Sequence, residues 1–67
     1  MEIIINNQKT DIPDQTTIDG LVALMEMENS MGIAVAVNKK VVPRGSWSST
    51  LLNTRDEVLL IRASQGG

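Results

Sequence analysis

Sixty-seven residues suffice for one small domain that hides about 60% of its surface on folding, so the core has to be compact. With 42% hydrophobic residues but a single aromatic, Trp47, that core must be built from Ile, Val, Leu, Met and Ala, which argues against a large ligand pocket. Cysteine and histidine are absent, which removes disulfides, thiolate nucleophiles and the commonest zinc ligands, and six basic against eight acidic residues argue against nucleic acid as a partner.

In chain order, Ile3-Ile4-Ile5 is β-branched on consecutive positions, as in a strand covered on at least part of both faces. Asn6-Asn7-Gln8 reads as a turn, and Lys9-Thr10-Asp11-Ile12 as an antiparallel return that Pro13-Asp14 closes at a sheet edge. Thr16 or Thr17 is the expected N-cap of a helix running to about Met27, with Asp19 favouring its positive end. Ile18, Leu21, Val22 and Met25 recur at helical spacing, with Leu24 at the margin, so this stripe should face a sheet while Glu26 and Glu28 face water. Met25, Met27 and Met31 read as gap-fillers in and around the core rather than as an adaptable binding surface.

Asn29-Ser30 leads into Ile33-Ala34-Val35-Ala36-Val37, where large residues alternate with alanine; the bulky pleat face should meet the helix and leave the other nearly flat. Asn38-Lys39-Lys40 turns into Val41-Val42, which Pro43 ends. Ser46 is a candidate cap for a single turn that places Trp47 inward beside Leu51 and Leu52, plugging the open end of the core. Arg44 either caps carbonyls or pairs with an acid, or stands exposed as a docking contact. Asn53 to Asp56 form a turn into Glu57-Val58-Leu59-Leu60-Ile61-Arg62, whose four consecutive apolar residues predict a central strand covered on both faces.

Hairpin, helix, hairpin, short turn and strand together predict an α+β domain over residues 1–63, a β-grasp. Its mixed sheet of four to five strands should carry the last strand parallel beside the first, with one main helix packed across it. Residues 64–67 would form a flexible tail ending in Gly66-Gly67. A terminal glycine carboxylate has no Cβ beside it, so the backbone can enter a slot too narrow for other residues. Such a tail suits another enzyme's active site.

The remaining Asp, Glu, Lys and Arg residues form no evident acid/base constellation, so turnover by the chain alone is not expected. The longest apolar run, Ile33 to Val37, is far too short to cross a bilayer, and Met1-Glu2 opens a strand rather than a basic leader; the expected compartment is the cytoplasm, away from membranes.

Ala36-Val37-Asn38, then Val42-Pro43-Arg44-x-x-Trp47, then an apolar strand and Gly66-Gly67 resemble the thiamine-biosynthesis sulfur carrier protein family over nearly the whole chain. The resemblance implies a ubiquitin-like β-grasp that acts as a co-substrate rather than an enzyme and is monomeric when free. It implies that Gly67 is adenylated by an E1-like adenylyltransferase using ATP and Mg²⁺, and then converted to a thiocarboxylate by a persulfide-bearing donor. Thiazole synthase would accept the sulfur, and the chain itself would bind no cofactor and no metal. Gly66, Gln65 and Ser64 would thread into partner active sites. Ala34, Ala36 and Arg44 are the candidate docking residues, with Val35 or Val37 at the border of the alanine-rich face. Where the family commonly has Asp-Gly-Asp before the last strand, this chain has Thr54-Arg55-Asp56, and Ser64-Gln65 is more polar than the family pattern.

The small subunit of molybdopterin synthase shares the expected fold and tail chemistry, but the Val-Pro-Arg-x-x-Trp segment and short length favour thiamine. A ubiquitin-like modifier would form isopeptide conjugates. A β-grasp module that binds partners without covalent chemistry would be indifferent to loss of Gly66-Gly67.

Overall fold

The computed structural model describes residues 1–27 and 32–62. Two hairpins are set by two-residue turns. β1 (Glu2–Ile5) and β2 (Gln8–Asp11) pair antiparallel with Ile5 opposite Gln8, leaving Asn6 and Asn7 at φ 48° and 69°. β3 (Ile33–Val37) and β4 (Lys40–Val42) pair with Val37 opposite Lys40, leaving Asn38 and Lys39 at φ 51° and 72°. Positive φ at both central residues gives the turn twist that matches the flanking strands, and asparagine tolerates that region better than most L-residues.

β5 (Glu57–Arg62) joins the two hairpins. It runs parallel to β1 through Ile4↔Glu57 and Ile5↔Val58, and antiparallel to β3 from Val37↔Val58 to Ile33↔Arg62. The resulting sheet has the order β2-β1-β5-β3-β4, with the last strand at its centre beside the first. Central does not mean covered twice, however. Val58 and Leu60 are buried, but Leu59 and Ile61 are 46% and 50% exposed, so the expectation of two covered faces is corrected. A chain this small has material to cover one face of five strands, and the described residues leave the other open.

The covering helix, α1 (Ile18–Leu24), starts at Thr17, whose Oγ1 accepts the Gly20 N–H at 3.0 Å. Thr16 has a different task, donating its hydroxyl to the Pro13 carbonyl at 2.6 Å. The helix ends at Leu24 instead of near Met27 because Glu26 turns left-handed at φ 58°. Its N–H bonds to the Ala23 carbonyl and the Met27 N–H to the Val22 carbonyl, both at 3.0 Å, the paired bonds of a Schellman stop. Ile18, Leu21 and Val22 are buried, whereas Met25, expected in the same stripe, is 43% exposed because it lies past the last full turn. Met27 packs partly against the core; Glu28, Asn29, Ser30 and Met31 lie outside the described residues.

A 3₁₀ turn over Arg44–Ser49 closes the end of the core. Pro43 stands at its cap position with no side-chain hydrogen bond, so Ser46 is not the cap; the Ser46 carbonyl instead accepts the hydroxyls of Ser49 and Thr50 at 3.2 and 2.7 Å. Trp47 is buried as expected, its Nε1–H donating to the Val42 carbonyl at 2.8 Å. Leu52 is buried beside the same core, while Leu51 turns out to solvent, its backbone committed to a bridge with Thr17. Ile3, Ile5, Val35, Val58 and Leu60 from the sheet meet Ile18, Leu21, Val22 and Trp47 in one cluster, completing an α+β, ubiquitin-like β-grasp. Among the described residues no helix is long and apolar enough to cross a membrane. The predicted boundary between residues 63 and 64 lies outside the described residues.

Candidate functional site

Strand periodicity decides which residues reach the open face. In β3, Ile33 and Val35 point into the core and Val37 packs partly against it, so Ala34 and Ala36 point outward. Val35 and Val37 therefore do not border the alanine face, as the sequence reading placed them; they lie on the opposite side of the pleat. The true border comes from neighbouring strands. Ala36 sits between Leu59 and Val41, and Ala34 beside Ile61. All three large residues are exposed, Val41 at 75%. Beside Ala36 lies a shallow depression of about 360 Å³, floored by Ile4, Ala36 and Leu59 and bordered by Asn6, Lys39 and Glu57.

Arg44 is not part of this surface. Although exposed, its guanidinium carbon lies 4.7 Å from the Trp47 ring centroid, a cation–π stack against the core on the other side of the sheet. The structure thus places Ala34 and Ala36 together and Arg44 apart from them.

Ser64, Gln65, Gly66 and Gly67 lie outside the described residues. What is described is the strand that leads to them, and it is held by contacts that sequence patterning did not register. At its start, the Asn38 side chain accepts the Glu57 N–H at 3.0 Å and donates to the Asp56 carboxylate at 3.1 Å. Asp56 in turn accepts the Asn53 N–H at 2.8 Å. Arg55 takes φ 71° and donates its N–H to the Glu2 carbonyl at 2.8 Å. The turn therefore keeps a left-handed centre at the position where the resembling family commonly has glycine. Further along, the Asn6 carboxamide spans both backbone groups of Leu60, accepting its N–H at 2.9 Å and donating to its carbonyl at 3.3 Å. The signal available in the sequence was only that Asn6 and Asn38 occupy turns; their partners are 54 and 18 to 19 residues away.

At the far edge, the Met1 ammonium donates to the Ile12 carbonyl at 2.6 Å and lies 3.5 and 3.2 Å from the Asp11 and Asp14 carboxylates. The Asp14 hydrogen bond chiefly raises its pKa above the ordinary 8.0, outweighing partial desolvation. Among the described residues no group of three or more acidic side chains is placed to hold a metal ion.

Comparison with known proteins covers the chain from end to end. The sequence model described as the ThiS family matches residues 1–67. The sulfur carrier protein ThiS of Escherichia coli K12 is 28% identical over 67 residues, covering 100% of both chains. A crystal structure of the thiamine biosynthesis protein ThiS from Geobacter metallireducens superposes with a TM-score of 0.85 at 17% identity, covering 100% of both chains. An NMR solution structure of a thiamine biosynthesis protein from the same organism gives 0.82 at 19% identity, covering 100% of this chain and 88% of that one. At these identities the two structures speak for the fold.

Proposed function

Because the chain belongs to the ThiS family, we propose that it is a sulfur carrier of thiamine biosynthesis whose cargo rides on the Gly67 carboxylate. The observation that carries this reading is the placing of β5: a central strand, paired with β1 to Val58 and with β3 to Arg62 and pinned at Asn38 and Asn6, which Ala63-Ser64-Gln65-Gly66-Gly67 follow in the sequence. A carrier without cysteine must hold sulfur on its backbone terminus.

The chemistry follows from the carboxylate. It is anionic and would have to expel oxide, so it needs activation. Its oxygen attacks the α-phosphorus of ATP, with Mg²⁺ held by the partner, releasing pyrophosphate and forming an acyl adenylate. A persulfide sulfur then attacks the acyl carbon and expels AMP, and a thiol reduces the resulting acyl disulfide to the thiocarboxylate. Family resemblance makes the first partner an E1-like adenylyltransferase and the acceptor thiazole synthase. Gly66 allows close passage, and Gln65 and Ser64 form the arm.

Docking belongs to the open sheet face. Exposed Leu59, Ile61 and Val41 around Ala34 and Ala36 give contiguous apolar area without a cover in the described chain. Ala36→Asp, substituted at an outward position, should fold normally yet weaken binding to the adenylyltransferase by at least about tenfold, since it buries an unpaired charge in the interface. Unchanged affinity would move docking elsewhere. Intact-mass spectrometry of the chain with adenylyltransferase, ATP and a sulfur donor tests the reaction itself. The expected result is a gain matching oxygen replaced by sulfur, absent when Gly67 is deleted; no adenylate or thiocarboxylate with any donor would leave a non-covalent module.

A further inference from the structure

Backbone pairing between β1 and β5 stops at Ile5↔Val58, where β1 enters its hairpin turn. On its other flank β5 stays paired with β3 as far as Arg62. Beyond Val58, therefore, one flank of the final strand has no backbone ladder among the described residues. The last main-chain bond across it runs from the Asn6 N–H to the Val58 carbonyl at 2.9 Å, and the Asn6 carboxamide then supplies the next two bonds itself, to the N–H and carbonyl of Leu60. A carboxamide that accepts from and donates to one residue imitates the edge of a neighbouring strand. The left-handed torsion of Asn6 makes this reach possible from within a two-residue turn.

We propose that Asn6 is a positioning residue for the carrier's C-terminal arm, holding at Leu60 the flank of β5 that β1 no longer pairs and thereby fixing the base from which the arm extends. This rests on the reading that the Gly67 carboxylate is adenylated by a partner. An arm of given length meets an active site most often when its base is fixed, and each residue released at the base adds conformations that miss.

Asn38 supplies a matched control. It too is an asparagine in a left-handed turn whose side chain bonds to β5, but at Glu57, the end remote from the arm. Glycine accepts the left-handed torsion at either site, so Asn6→Gly and Asn38→Gly both preserve the turn and remove only the side-chain bonds. Amide hydrogen exchange in the free full-length chain should show Leu60 losing protection in Asn6→Gly and keeping it in Asn38→Gly. Because Asn6 also borders the depression on the open face, adenylation is read as a single-turnover rate at saturating partner, where a lost docking contact has no effect. That rate should fall about tenfold in Asn6→Gly, the cost of freeing about one residue, and stay unchanged in Asn38→Gly. Equal losses in both variants would reduce Asn6 to a general stabiliser, and an unchanged rate in Asn6→Gly would sever the clamp from the arm; either overturns the inference. Unchanged Leu60 protection would overturn the clamp itself. Failure of the unsubstituted chain to be adenylated overturns the functional reading and this inference with it, whereas the exchange result stands independently of any partner.

Discussion

Arg55 at φ 71° and Glu26 at φ 58° hold torsions that side chains with a Cβ resist and glycine accepts. Among the described residues neither long side chain makes a hydrogen bond in its turn; the backbone makes them, the Arg55 N–H reaching Glu2 and the Glu26 N–H reaching Ala23. Arg55→Gly and Glu26→Gly should each therefore stabilise the fold by about 0.5–1 kcal/mol, after allowing for the greater freedom of glycine in the unfolded chain. Urea midpoints that rise with unchanged slopes would bear this out; a fall at either site would mean that its side chain contributes more than its torsion costs. These torsions were illegible in the sequence, because arginine and glutamate do not announce a left-handed residue as glycine does. The asparagines were half legible: the sequence marks them as turn formers, but nothing local reveals that Asn6 would bond to Leu60 or Asn38 to Glu57.

Among the elements, α1 is short and depends on its ends. Seven residues are too few for a helix to persist alone, so its cap and its buried stripe hold it in place. Thr17→Ala should cost about 1 kcal/mol by orphaning the Gly20 N–H, measured as a lowered thermal midpoint. An effect indistinguishable from zero would show water replacing the hydroxyl. Helix existence, the stripe of Ile18, Leu21 and Val22, and the alternation in β3 were all readable, because burial imposes periods of 3.6 and 2 directly on the residue pattern. Helix length was not, since the Schellman stop uses a glutamate. The exposure of Leu59 and Ile61 was not either: a run of apolar residues looks the same whether its second face meets the protein's own core or a partner. For the same reason the alanine face could be located from the sequence, but its true border could not.

For the molecule as a whole, the N-terminal edge carries an electrostatic dependence that can be worked through. In the 67-residue chain the Met1 ammonium has a folded pKa raised above 8.0, chiefly by Asp14. Its contribution to stability is therefore complete below 8.0 and disappears as pH climbs through the raised value. Asp14→Asn should flatten that alkaline decline, and added salt should weaken it in the unsubstituted chain, because both carboxylates stand in solvent. A decline of the same size in Asp14→Asn, followed by the thermal midpoint across the alkaline range, would assign it to other groups. The strand order has a consequence of another kind, for the timing of synthesis. In β2-β1-β5-β3-β4 the two hairpins, made early, share no backbone pairing with each other until the final strand slides between them. A ribosome that has released everything up to Asp56 has produced two hairpins with no ladder between them, and a helix whose sheet still lacks its central strand. Closure must wait for residues 57–62, so the last strand to be made is also the one that completes the sheet, and the domain cannot close before Arg62 has cleared the ribosome.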